Sequence, residues 1–238
     1  MRPVVGILAA LAALVLAGCS VVGVRSGTEE PRYSVVERVR GVEGVEIRRY
    51  APRLAAETVV AGGEEEARNV GFRRLAGYIF GDNRASETIA MTAPVAQEAV
   101  GSEKIAMTAP VAQEPAPGDA GGWVIRFFMP AEYTAETLPV PTDPQVAIVE
   151  VPDETVAVRK FSGSRSPQAV AREAQILRDA LDGSGWRAEG PAVAWFYDPP
   201  WTLPFLRRNE VAIPVAADDD AAAPAEGRDP AEEGEDPS

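Results

Sequence analysis

The feature that most constrains this chain is the order of its patterned segments: strands, a helix, strands, and then the same series again. Residues 34–39, 45–50 and 54–60 are rich in Val and Ile and are punctuated by Gly41, Gly44 and Pro52, which predicts three strands. Gly62-Gly63 breaks that pattern, and a helix is expected over 64–80. Glu64, Glu65 and Glu66 suit the positive end of a helix dipole. Ala67, Gly71, Phe72, Leu75, Ala76 and Ile79 recur at three- and four-residue spacing and define one face, with Arg68, Arg73 and Arg74 mostly off it. The second series has strands over 123–129, 146–151 and 155–161, the last two read as a pair around a Pro152-Asp153 turn. Ser166-Pro167 is a helix start, an N-cap serine followed by proline at the first helical position. Val170, Ala174, Leu177 and Leu181 mark the apolar face and Gly183 the stop, before final strands over 192–197 and 210–215. This order argues for an α+β fold, a mostly antiparallel sheet or barrel with one helix in each half.

Such a fold must be held by its core. The 238 residues contain one cysteine, so no disulfide forms within a chain. They contain no histidine, which excludes Ser-His-Asp and Cys-His catalysis, His-based zinc sites and a proximal-His haem ligand. The net charge of −13 is unevenly spread. Nine acidic residues stand against Arg228 from Asp218 onward, leaving 22 basic against 27 acidic side chains elsewhere. Without a basic patch, nucleic acid is not an expected partner.

The N-terminus carries Arg2 and then an apolar run over 4–17. That run is short of the roughly 20 residues a spanning helix needs, but it suits a signal peptide. It ends in Leu16-Ala17-Gly18-Cys19, which resembles the lipobox of bacterial lipoproteins. The resemblance implies cleavage before Cys19 and acylation of that thiol and of the new amine. Two or more acyl chains hold a protein stably on a bilayer where one does so only marginally. Ser20 in place of an aspartate favours an outer-membrane destination. The expected organisation is a signal peptide over 1–18, lipidated Cys19 and a tether to residue 32, a domain over 33–216, and a disordered Asp-, Glu-, Ala- and Pro-rich tail over 217–238.

The decapeptide IAMTAPVAQE occurs at 89–98 and again at 105–114. Two β-competent copies joined by six residues suggest a hairpin lengthened by local duplication; the other reading is a doubled pocket-lining strand. Glu87, Glu98 and Glu114 have no recognisable partner for acid–base work. Asp198-Pro199-Pro200-Trp201 reads as a rigid turn with Trp201 capping one barrel end, and Arg207-Arg208-Asn209-Glu210 as ion pairs pinning the start of the last strand.

Several of these segments together resemble the SOUL haem-binding family: residues 46–50 (EIRRY), 104–111 (KIAMTAPV), 126–130 (RFFMP), 161–163 (FSG), 197–201 (YDPPW) and 207–211 (RRNEV). The resemblance covers about 33–215. It implies a distorted antiparallel β-barrel of about eight strands with two helices, built from two similar halves. It also implies haem or another tetrapyrrole held, without catalysis, in a shallow apolar groove along the first helix. The matching positions are Asn69, Phe72, Ala76 and Gly77. Some relatives have basic side chains where this chain has Asn69 and Gly77, and others are proposed to use a histidine that this chain lacks. Arg68, Arg73 and Arg74 are the nearest substitute cations. Met91, Met107, Met129 or a tyrosine could in principle ligate iron, although methionine in an apolar strand is usually core filler. The competing expectation is a cell-surface structural or protein-interaction module with no small ligand, which the missing basic positions and the acidic tail fit.

Overall fold

The computed structural model describes residues 28–85, 102–118 and 121–218. The three Val/Ile-rich segments before the double glycine form β1 (Tyr33–Arg38), β2 (Val45–Tyr50) and β3 (Arg53–Val60). Helix α1 (Glu64–Phe80) follows, and its C-terminus is closed by Gly81 at φ 129°. Then come β4 (Asn83–Arg84), β5 (Val111–Pro115), β6 (Trp123–Phe128), β7 (Val140–Pro141), β8 (Ala147–Val151) and β9 (Glu154–Phe161). Helix α2 (Pro167–Leu181) starts as its sequence dictates, with the Ser166 hydroxyl accepting from the Ala169 N–H at 3.3 Å. The chain ends in β10 (Trp186–Ala188), β11 (Val193–Phe196) and β12 (Asn209–Ala217).

Nine strands pair antiparallel along one path, β1-β2-β9-β12-β11-β5-β6-β3-β8, with β10 lying beside the end of β12. The path divides between β5 and β11. On one side the order β5-β6-β3-β8 belongs to the series β3-α1-β5-β6, and on the other the order β11-β12-β9-β2 belongs to β9-α2-β11-β12. The two halves thus repeat one neighbour order, each with its own helix, as the family resemblance implies.

Alternation along the strands sorts side chains to two faces. Ile47, Ala157, Val211 and Ile213 meet Ala174 and Leu177 of α2. Ala56, Ile125 and Phe127 meet Leu75, Tyr78 and Ile79 of α1. The opposite face carries Tyr50, Ala55, Phe128, Val156, Val158, Trp195 and Ala212, which form one cluster although β2 and β3 are far apart on the path. The sheet therefore curls strongly into a half-barrel, with both helices on one face and an aromatic cluster within the curl.

Three sequence expectations change. β8 and β9 do not pair: β8 lies on β3, while β9 lies between β2 and β12. Pro152 and Asp153 carry the chain from one half to the other, because each strand's apolar face is matched within its own half. The duplicated decapeptide does not give a hairpin through its second copy. Only its end is strand, and β6 and β11 occupy both edges of β5; the first copy lies outside the described residues. Trp201 is 63% exposed and does not plug a barrel end; Trp195 and Tyr197 are the buried aromatics of this region. The chain is also docked earlier than expected. Glu29 accepts from the Ala109 N–H through its carbonyl, and Glu30 pairs with Arg208 at 2.9 Å.

Candidate ligand-binding site

Helix α1 sits close on β6 because residue 71 is glycine. A Cβ there would lie 2.8 Å from Ile125 Cβ, nearer than side-chain carbons approach. This fixes which face of α1 is free. Ala67, Gly71, Leu75, Tyr78 and Ile79 are buried. Asn69, Phe72, Arg73 and Phe80 are exposed, with Ala76 and Gly77 partly covered between them. The Phe72 ring is held edge-on to Phe127 at 5.3 Å and 63°, yet remains 38% exposed, and Phe80 is 60% exposed. Small residues between two aromatic rings make a flat apolar ledge along the helix.

The cations around this ledge differ. Arg68 is mostly buried; it donates to Gln113 and to the Arg165 carbonyl and lies over the Phe196 ring at 4.9 Å. Burial lowers its pKa, with Glu64 and Glu65 opposing. Arg74 donates to Thr58 Oγ1 and the Val59 carbonyl. Arg73 is exposed and has no ion-pair or hydrogen-bond partner among the described residues, so it is the cation open to an acidic ligand group. Gly77 has a local explanation. A Cβ there would meet Asp82 Oδ2 at 2.5 Å, since the chain folds back at the helix end with the Asp82 N–H on the Gly77 carbonyl. The Asp82 carboxylate makes that end of the ledge anionic.

Of the sequence-nominated methionines, Met107 is 41% exposed in the segment that meets the end of α1, where the Ile105 N–H donates to the Ile79 carbonyl. Met129 is buried in the α1 core. Met91 and Cys19 lie outside the described residues. Tyr78 is buried and donates to the Pro139 carbonyl. No group of three or more acidic or cysteine ligands occurs among the described residues. The ledge therefore fits a flat ring and one acid.

A second concavity lies at the mouth of the half-barrel, and sequence reasoning missed it. It encloses about 310 Å³ between Pro31, Leu54, Phe128, Met129, Pro130 and Tyr133, with Arg53 at its base. The Arg53 guanidinium lies over Tyr50 and Phe128 at 4.7 and 4.6 Å and pairs with Glu154, but its Nε and Nη1 are buried without partners. No local pattern could have found this concavity, because its walls come from both ends of the sheet.

Beside this mouth, the EIRRY and RRNEV segments meet. Glu210, fully buried, accepts from Arg48 at 2.9 Å, from Arg208 at 3.0 Å and from the Tyr197 hydroxyl at 2.7 Å. Burial opposes charge on Arg48, but Glu210 and Tyr50 together outweigh it and raise the pKa. Burial, then Glu210, push Tyr197 well above the ordinary phenol range. Every group is committed, which makes this a structural clasp, and Glu114 is likewise paired with Arg126.

Comparison with known proteins gives one family and one fold. The model of the family described as SOUL heme-binding protein matches residues 28–214. Heme-binding protein 2 of Mus musculus is 29% identical over 201 residues, covering 79% of this chain and 89% of its own length. Among solved structures, an EcmrR–DNA complex superposes at a TM-score of 0.51 with 8% identity over 73% of this chain, which spans 57% of that one. A second, SAV2435 bound to tetraphenylphosphonium, reaches a TM-score of 0.41 with 12% identity over 72% of this chain and 93% of its own.

Proposed function

We propose that this chain, which belongs to the SOUL heme-binding family, seats a tetrapyrrole on the exposed face of α1 and serves as a non-catalytic envelope lipoprotein. Family membership supports a tetrapyrrole-binding role. The observation that carries the location is the ledge of Phe72, Ala76 and Phe80 with Arg73, unpaired among the described residues, beside it. Burying a flat ring against such a surface is favourable by about 25 cal/mol per Å² of apolar area and needs no axial ligand. Arg73, at the Asn69 end, pairs with a propionate, while Asp82 repels one, so the acidic edge of the ring faces the helix N-terminus. When the ligand is haem, its conjugated ring supplies the Soret transition by which binding is read. Acylated Cys19 would hold the domain on the envelope membrane.

The chain from Ser20 onward retains every described residue and suits a haemin titration. A saturable Soret shift at micromolar protein is expected. Phe72→Glu weakens it about tenfold or more, since an apolar contact is exchanged for a charge, and Arg73→Ala weakens it less. Absence of any saturable shift overturns the reading. Arg53 at the barrel mouth gives a second location. If Arg53→Leu abolishes binding while Phe72→Glu leaves it intact, the ligand sits within the curl instead.

A further inference from the structure

The longest connection in the second half, between β11 and β12, is residues 197–208, and it displays apolar side chains to solvent. Trp201, Leu203, Phe205 and Leu206 are 63%, 39%, 70% and 37% exposed. The loop does not hold them out by being loose. Thr202, fully buried, donates its N–H to the Pro199 carbonyl, and a 3-10 turn over Pro204–Leu206 brings the Leu206 N–H to the Leu203 carbonyl at 2.9 Å. Arg207 ties the two arms, donating to the carbonyls of Thr202 at 2.8 Å and Pro200 at 2.7 Å. The Gly163 N–H, from the approach to α2, holds the Pro204 carbonyl at 2.8 Å. Two prolines and these bonds fix four large apolar groups in a projecting wedge. Exposed apolar clusters of this size mark interaction sites.

Two further observations select the partner. The first is charge. Arg165 and Arg68 both lie over the Phe196 ring, at 5.6 and 4.9 Å, and Arg207 is close enough to act on Arg165. Burial, then Arg68 and Arg207, pull the Arg165 pKa down to about 10, with Asp198 and Glu65 opposing. Arg165, which also donates to the Asp198 carbonyl at 3.2 Å, and Arg207 are both partly exposed, so two cations stand at the foot of the wedge. The second is where the rest of the chain attaches. Glu30 is clasped by Arg208 at 2.9 Å, so the N-terminal segment joins the domain beside the foot of the loop. Cys19 lies only eleven residues before Glu30. An aromatic and aliphatic wedge with an arginine rim, beside the point where an acylated tether enters, fits a lipid surface with anionic headgroups.

We propose that the 197–208 loop is a membrane-docking wedge: Trp201, Leu203, Phe205 and Leu206 enter the interfacial layer while Arg165 and Arg207 meet anionic headgroups. With Cys19 acylated, the wedge becomes a second attachment that orients the domain. This orienting role rests on the lipoprotein reading; the wedge itself does not.

The test uses the chain from Ser20 onward, which has no acyl site, with vesicles of phosphatidylcholine alone or mixed with phosphatidylglycerol. Co-sedimentation with the mixed vesicles, weakening as salt rises, is expected. Phe205→Asp should reduce the partition about tenfold or more, and Arg165→Gln with Arg207→Gln should abolish the preference for the anionic lipid. Phe205 is largely exposed, so an unchanged melting temperature shows that its variant is folded. Equal binding by Phe205→Asp, or no binding to either vesicle, overturns the proposal. So does a loop-dependent dimer on size exclusion without vesicle binding, which would make the wedge a contact between copies. The anchor is read separately, by mass spectrometry of the full chain made in an exporting bacterium. An unmodified Cys19 there sinks the lipoprotein reading and leaves the vesicle result standing.

Discussion

Glu210 shows how one residue can hold together distant parts of this chain. It is fully buried, and it accepts from Arg48, Arg208 and Tyr197. Removing one partner of a buried ion pair leaves the others charged and desolvated, which typically costs about 3–5 kcal/mol. Glu210→Ala is expected to lose that much in urea unfolding, and Tyr197→Phe much less, since only one of the bonds goes. A loss under about 1 kcal/mol for Glu210→Ala would mean that Arg48 and Arg208 find water or another partner. The ion pairs at the start of the last strand were legible from RRNEV. That Arg48 of EIRRY is the second cation was not, because 162 positions separate the partners.

The helices carry the clearest element-scale test. In α1 the sequence offers glycine where alanine would normally favour the helix by about 1 kcal/mol. Here the close approach to Ile125 reverses the sign. Gly71→Ala overpacks the α1–β6 contact and is expected to destabilise by about 1–3 kcal/mol despite its better propensity. In α2, Ser166→Ala removes the N-cap and costs about 1 kcal/mol. Thermal melts of the two variants check both figures. Bounds at this scale were well read: the α1 span and the Ser166 cap stand as the periodicity and cap residues imply, since both are local properties. Partnership was not. A turn at Pro152-Asp153 looks like a hairpin from sequence, and only the match of whole apolar faces sends β8 to β3 and β9 to β12.

At the scale of the molecule, folding encloses phenols on both faces of the sheet. Tyr50 is pushed up to about 12, chiefly by burial, with Arg48 partly opposing. Tyr133 is also raised to about 12 by burial and the Glu103 hydrogen bond, and burial raises Tyr78 and Tyr197 further. A phenol whose folded pKa lies above its unfolded value of about 10 keeps its proton longer when folded. The stability this contributes is complete below about pH 10 and is lost as the pH rises toward 12 and beyond. The urea midpoint should therefore fall steeply above pH 10, and tyrosinate absorbance should rise with unfolding. Four of the five tyrosines titrating freely at pH 10 in the folded protein would contradict this enclosure.

The sequence by itself determined the class of fold, the helices, most strands and the SOUL family likeness, because these follow from periodicity, caps and short motifs. It also excluded histidine chemistry outright, by composition. Tertiary structure decided what depends on enclosure and distance. It left Arg73 open while occupying Arg68 and Arg74, set Arg53 under the barrel mouth, and turned Trp201 from an expected plug into part of an exposed wedge beside the incoming chain. Local sequence governs backbone conformation, whereas solvent exposure and pairing depend on which faces meet, and that is settled only when the whole sheet closes.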